Sequence, residues 1–371
     1  MNLKKYFTTL KNNNNLVYLD SANTTFKPDI VVKKIQKNLL FFDNNFKPKK
    51  YFLKKQNKIY ENSIKTIKDY ISCPKEYSVL FFKSATEALE FISIHLIGSQ
   101  LKKNDEILLS DLDHRSMIAP WKKLIKVKSI KLKFIKYTKD GNLRLDSLKN
   151  LHSSKTKLIN LTHLSHFYGN TISPKIIDYC KKFKIPFLID GCQSMINEDV
   201  NLEKLGCDFF VFSSHKMYGP MGLGVLVCKN SYLVDKKRLK QNKHYIVEAN
   251  ALSATINFLE NIEKKKLIIK LKNLTKYLEL NLKKLKDIKI FGKSKNRKSI
   301  ISFIFKNKNL NIHQLVNKKG IFLRYGHHHS QNLLTKLNYN KTFRVSLGIY
   351  NDKKDIDTLI RSLKVACKKF F

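Results

Sequence analysis

The chain alternates short apolar runs with longer segments in which apolar residues recur every three or four positions. Residues 77–82, 106–110, 130–134, 158–161, 185–189 and 209–213 each read as a strand. Ile130, Leu132 and Phe134 alternate with Lys131 and Lys133, the pattern of a half-buried strand. Strands separated by helical segments predict an α/β fold, with a mostly parallel sheet flanked by helices. In such a sheet, ligands bind beyond the C-terminal strand ends. From about Thr255 the texture changes. Residues 256–285 form one long amphipathic, Lys-rich pattern, followed by a strand at 299–305 and a final helix at 355–368. This predicts a large domain over residues 16–255 and a smaller α+β domain built from residues 1–15 and 256–371. The Lys-Asn tract at 11–15 reads as a solvated turn.

Composition narrows the picture. At roughly 100–200 residues per domain, 371 residues suit two domains. With 43% hydrophobic residues, the chain can bury a sizeable core, which excludes disorder. No apolar run approaches the roughly 18 residues of a membrane-spanning helix, and the N-terminus lacks a signal-peptide pattern, so a cytoplasmic protein without membrane contact is expected. Lys+Arg number 72 against 29 Asp+Glu, a formal net charge of +43. Only 7 of these cations are Arg, and the Lys are spread from end to end. That pattern reads as solvated surface in a Lys- and Asn-rich composition. It predicts weak polyanion attraction, not a specific nucleic-acid site. None of the six cysteines has CxxC spacing, so neither a zinc site nor a redox dithiol is indicated.

Three segments carry candidate chemistry. Ser84-Ala85-Thr86-Glu87 follows a strand and has capping-box spacing, a helix start whose free N–H groups suit a phosphate. Asp190, followed by Gly191, closes an apolar run where ligands of parallel sheets sit. A strand at 209–213 runs into Ser214-His215-Lys216 and then a glycine cluster that lacks the GK[ST] of a P-loop. Pyridoxal phosphate needs a lysine for its aldehyde, an acid for its ring nitrogen and donors for its phosphate. Lys216, Asp190 and the Ser84–Thr86 start supply that set.

In the order of its motifs the chain resembles the class V aminotransferase family, and most closely the SUF-type cysteine desulfurases. Tyr18-Leu19-Asp20-Ser21-Ala22, Asp113-His114 with Pro120-Trp121, Asp190-Gly191-Cys192-Gln193, Phe212-Ser213-Ser214-His215-Lys216-Met217-Tyr218-Gly219-Pro220, Arg324-Tyr325-Gly326-His327-His328 and Arg344-Val345-Ser346-Leu347 carry the likeness. The resemblance implies a type I fold of pyridoxal-phosphate enzymes and conversion of L-cysteine to L-alanine, with sulfur passed to an acceptor protein of the SUF system for iron–sulfur cluster assembly. It also implies a homodimer. Lys216 would hold the cofactor and move the Cα proton. Asp190 would hold the ring nitrogen, His114 would stack on the ring, and Gln193 would bond its phenolic oxygen. Thr86, Ser213 and His215 would hold the phosphate, and Arg344, with Arg324 nearby, the substrate carboxylate.

The chain departs from the family at several of these positions. His329 stands where the family places its nucleophilic Cys, His166 where it places an Asn, and Ala85 where it places a phosphate-loop Thr. Arg115 replaces a second His, and Cys192 an Ala that packs on the ring. The stretch 47–51 stands near the place of the family's HRGxH. The loop that lends a phosphate contact across the dimer shrinks to Val247-Glu248-Ala249-Asn250. A thiolate is needed to take sulfur as a persulfide, and imidazole cannot store it. Two alternatives follow. One is a lyase for substrates whose β-substituent leaves unaided, selenocysteine or cysteine sulfinate. The other is a non-catalytic paralogue that binds a partner or a polyanion.

Overall fold

Neighbouring side chains of the central strands enter two different cores. Phe210 and Phe212 pack with Ile159, Leu161, Phe187 and Ile189, whereas Phe209 and Val211 pack with Leu158, Leu188, Ile107 and Leu109. A sheet buried on both faces needs apolar residues at every position, which explains the unbroken hydrophobic runs.

The computed structural model describes residues 2–13, 15–42, 50–233, 244–293, 297–306 and 312–370. Its strands, in chain order, are β1 Val17–Tyr18, β2 Tyr77–Phe82, β3 Glu106–Leu109, β4 Lys131–Phe134, β5 Thr156–Thr162, β6 Phe187–Asp190, β7 Phe209–Ser213, β8 Gly224–Lys229, β9 Ile288–Ile290, β10 Ile300–Phe305, β11 Ile321–Phe322, β12 Arg324–Gly326 and β13 Thr342–Ser346. The large sheet has the order β2-β8-β7-β6-β5-β3-β4. Strands β3 to β7 pair in parallel, and β8 runs against both β7 and β2. The fold is therefore α/β with a mostly parallel sheet. A second, antiparallel sheet has the order β12-β13-β10-β9, and β1 pairs with β11. Among the described residues, no helix is long and apolar enough to cross a membrane.

The structure corrects the sequence-based elements in four places. The pattern over 256–285 is not one helix. Helices Ile246–Asn261 and Lys264–Lys283 meet at a break where Glu263 has φ 57°, a left-handed conformation that no continuous helix accepts. Val247 to Asn250 are thus helical. Strand β8 follows the glycine cluster and was not predicted. Neither were β1, β9, β11 and β12, two or three residues each and too brief for periodicity to mark, nor the five-residue β13. Of the 11–15 tract, Lys11 ends the helix Thr8–Lys11 and Asn14 lies outside the described residues.

Gly224 opens β8 directly against the turn that follows β2. A Cβ there would lie 2.1 Å from the Ser84 carbonyl carbon and 2.4 Å from the Ala85 nitrogen. Gly224→Ala is therefore expected to push the Ser84–Ala85 backbone outward and to cost about 1–3 kcal/mol. A lowered urea midpoint checks this; an unchanged midpoint contradicts the close approach.

Candidate functional site

Polar groups gather where the parallel strands end, because there the chain leaves the two apolar cores. After β2, Ser84 caps the helix Ala85–Phe91, its Oγ accepting from the Glu87 N–H at 3.1 Å. The Glu87 carboxylate accepts from the Lys83 N–H at 2.8 Å, one residue short of a reciprocal capping box. Thr86 lies in the first turn, whose N–H groups have no helical acceptors. After β7, a single turn at Ser214–Lys216 presents His215 and Lys216. The N-terminal segment clamps this turn. Thr25 donates to the His215 carbonyl from its N–H at 3.0 Å and from its hydroxyl at 2.9 Å, and His215 Nδ1 lies 3.1 Å from Thr24 Oγ1. Burial, with Lys216 and Lys27 nearby, lowers the His215 pKa to about 4.

Asp190 ends β6 in register with Thr162 on β5 and Val211 on β7. Its Oδ1 accepts from the Cys192 N–H at 2.9 Å. Burial, reinforced by Asp190, pushes the Cys192 thiol up to about 12, so it is a thiol and not a thiolate at neutral pH. Gln193 Nε2 donates to the Ala22 carbonyl at 2.8 Å. His114 caps the helix Arg115–Lys128, its Nδ1 accepting from the Ser116 N–H at 3.2 Å. That bond leaves the ring proton on Nε2. Burial, then the electrostatic influence of Lys216 and of the neighbouring His329 ring, lower the His114 pKa to about 3. The His166 ring stands edge-on to His114 at 5.2 Å, with its Nε2 2.7 Å from Ser330 Oγ.

Arg344 reaches the site from β13 and is 4% exposed. Its guanidinium donates to Asp20 Oδ1 at 3.0 Å and to the His166 carbonyl at 3.3 Å, and its Nε is buried without a partner among the described residues. Arg324 on β12 is its direct cross-strand neighbour. Burial lowers the Arg344 pKa and raises that of Asp20, so desolvation outweighs the pairing at both ends. His328 and His329 follow in left-handed conformations, with φ of 51° and 58°. His328 Nε2 lies 3.1 Å from the Thr342 carbonyl, and the His329 ring lies 4.8 Å from His114.

These groups surround one cavity of about 220 Å³. Every residue expected from the sequence to act in the site lines it: Lys216, Asp190, Gln193, His114, His166, Thr86, Ala85, Ser213, His215, Arg324, Arg344 and His329. Four further lining residues, Ala22 among them as an unassigned motif residue, carried no role in the sequence analysis. Asn23 and Ser116 gave no signal, and His328 sat in a motif without an assignment. Asp20, the partner of Arg344, was legible only as a motif letter. Of the 47–51 stretch, residues 47–49 lie outside the described residues.

Comparison with known proteins gives the family and the fold. The family described as Aminotransferase class-V matches residues 17–359. A probable cysteine desulfurase of Halalkalibacterium halodurans is 28% identical, with 100% of this chain and 98% of the relative aligned. A cysteine desulfurase of Wigglesworthia glossinidia brevipalpis is 28% identical over 95% of this chain and 93% of its own. Among solved structures, the cysteine desulfurase CsdA of Escherichia coli, in an S-sulfonic acid form, superposes with a TM-score of 0.88 at 23% identity, covering 98% of this chain and 97% of its own. The apo cysteine desulfurase of Thermococcus onnurineus NA1 gives a TM-score of 0.89 at 23% identity, covering 100% and 99%. These likenesses show the type I fold of pyridoxal-phosphate enzymes.

The buried imidazoles predict acid lability. Burial depresses the pKa values of His114 (about 3), His163 and His215 (about 4 each), and those of His166 and His328 well below the ordinary value. As pH falls below about 6.5, the unfolded chain takes up protons that the folded rings refuse, a loss of up to about 1.4 kcal/mol per pH unit for each ring. Asp20 and Asp113 have raised pKa values, Asp113 to about 7, and act oppositely: their contribution is present at low pH and is lost as pH rises through those values. The imidazoles outnumber the carboxyls. The urea midpoint of the cofactor-free protein should therefore fall steeply from pH 6.5 to 4. A midpoint that is flat over that window contradicts the burial of these rings in neutral form.

Proposed function

The chain belongs to the class V aminotransferase family, and from that premise we propose that it holds pyridoxal 5'-phosphate in the cavity and takes sulfur from L-cysteine, leaving L-alanine. One observation carries the reading. Lys216 and Asp190, at the ends of adjacent strands, line a single cavity with phosphate donors among its walls, together with a buried Arg344 whose Nε has no partner. The donor set fits the group. Lys216 would hold its aldehyde carbon, Asp190 its ring nitrogen and Gln193 its phenolic oxygen. The Ser84–Thr86 turn, Ser213 and His215 would hold its phosphate, and His114 would pack on its ring. When bound, the cofactor supplies a sink for the electrons left at the substrate's Cα.

The chain's own groups do the rest. The free Nε–H of Arg344 takes the substrate carboxylate, while Asp20 and the His166 carbonyl hold the guanidinium in place. Lys216 moves the proton from Cα. His114, neutral with its proton on Nε2, offers a donor without adding charge. In this reading the large domain, residues 16–255, carries the cofactor groups, and the smaller one, residues 1–15 and 256–371, carries Arg324 and Arg344. The family resemblance supports a homodimer, a cytoplasmic setting and a final sulfur acceptor of the SUF kind in iron–sulfur assembly. The gathering of all these groups around one cavity supports an enzyme over a decayed paralogue.

A second reading has its own support. His329 stands in the place of the nucleophilic Cys, and the one thiol lining the cavity among the described residues, Cys192, is held protonated. Selenocysteine and cysteine sulfinate need no thiolate to release their β-substituent, so alanine from these and not from cysteine would favour this alternative.

Titration with pyridoxal phosphate should produce an absorbance band that borohydride fixes covalently to Lys216, as read by peptide mass. Lys216→Ala should abolish fixation and lower turnover by about 10³-fold or more. No fixed label on the wild-type chain contradicts cofactor binding. His329→Cys should raise alanine formation from cysteine by about tenfold or more, with a persulfide on the new thiol. An unchanged rate contradicts an otherwise intact site.

A further inference from the structure

A second cavity, of about 390 Å³, adjoins the first, with Asp111, Arg115, Ile118, Lys122, His329 and Asn332 among its walls. His329 lines both cavities. Ser330 lines the second, and its Oγ lies 2.7 Å from His166 Nε2 in the first. The volume lies in the range of small-molecule sites, roughly 300–1,000 Å³.

The charges of this second cavity select an anion. Asp111 is paired with Lys336. Asp113 has one oxygen on the Ser110 N–H and the other on the Thr162 hydroxyl. Its burial raises the pKa to about 7, which leaves it only partly charged. Arg115 and Lys122 are exposed, and their side chains make no hydrogen bond or ion pair among the described residues. A planar guanidinium beside an ammonium suits a carboxylate. The same cations favour the thiolate form of a nearby thiol. His329 has a pKa lowered by burial and by its cationic neighbours, so it is neutral and able to take a proton.

We propose that the second cavity admits a small thiol carrying a carboxylate, and that this thiol takes the sulfur which the chain has no thiolate of its own to accept. The inference rests on the cysteine reading above. The acceptor R–SH gives its proton to His329. Its sulfur forms an S–S bond with Sγ of the bound cysteine, and the Cβ–S bond breaks with its electron pair left on carbon. Lys216 returns the Cα proton, and Cβ takes up one more, balanced by the proton that His329 received. The products are alanine and R–S–SH. The acceptor sulfur and the substrate sulfur each give up one electron and the substrate Cβ gains two, so no further oxidant is required. His329 then serves as a base for an external thiol instead of as a sulfur carrier.

Two experiments test this. Calorimetry on the cofactor-free protein uses 3-(methylthio)propionate, which cannot react. It should bind at least tenfold more tightly than 2-(methylthio)ethylamine, and Arg115→Glu or Lys122→Glu should weaken it at least tenfold. Equal binding of the two thioethers, or binding indifferent to both substitutions, overturns the site. The second experiment uses loaded enzyme in excess over cysteine, so that no free cysteine acts as acceptor. Alanine release should then depend hyperbolically on 3-mercaptopropionate, with its persulfide trapped by alkylation, and cysteamine should require at least tenfold higher concentration. Release at the same rate without added thiol, or with a protein acceptor alone, overturns the proposal while leaving the cysteine reading intact. Thioether binding as expected, with no alanine from cysteine under any thiol, overturns the cysteine reading and leaves the anion site standing.

Discussion

A sheet buried on both faces leaves its polar chemistry one place to go. Residues such as Phe209 to Phe212 are committed to the two cores, so a charged group on the middle of a strand would be desolvated without a partner. Asp190, Ser213 and Lys216 lie where β6 and β7 end, and His114 and His166 lie in the loops beyond β3 and β5. The parallel direction of these strands brings all of those ends to one edge. The antiparallel β8 then returns from that edge, and its first residue, Gly224, lies against the Ser84–Ala85 backbone. The convergence of the site thus follows from the same hydrophobic constraint that builds the sheet.

Burial also governs the charge of the site. Lys216, Arg324 and Arg344 line one cavity with four imidazoles besides His328. If all of these groups were charged, their mutual repulsion would be severe. Desolvation removes the conflict by holding His114, His166, His215 and His328 neutral. What remains is a set of fixed cations for carboxylate and phosphate, opposed by Asp20 and Asp190, with imidazoles that exchange protons without adding net charge. The same desolvation makes Cys192 an inert thiol, unsuited to carry sulfur beside the loop that bears His329.

That loop joins two cavities. Two consecutive left-handed residues, His328 and His329, turn the chain so that one imidazole is tied to Thr342 while the next lies between the cavities. Backbone bonding supports the arrangement, since the His329 carbonyl accepts from the Arg115 N–H at 3.1 Å. Two of the positions read from the sequence as departures from the family pattern, 115 and 329, are therefore in contact.

The residue order alone determined the α/β class, because apolar runs at strand length separated by helical periodicity admit few other solutions. It also marked Lys216, Asp190, His114, Arg344 and the Ser84–Thr86 turn, because their chemistry is legible when motifs stand in order. Boundaries were less legible. Asp190 belongs to its strand, and the 256–285 pattern hides a break at Glu263 that only backbone conformation reveals. A strand as short as β12 leaves too few residues for a period, and pairing between strands is not a local property, so the placement of Arg324 opposite Arg344 was invisible. Tertiary structure alone decided which groups are neutral, which cation Asp20 restrains, and that His329 faces two cavities. Each of these depends on burial and on contacts between residues far apart in the chain, and neither is written in local sequence.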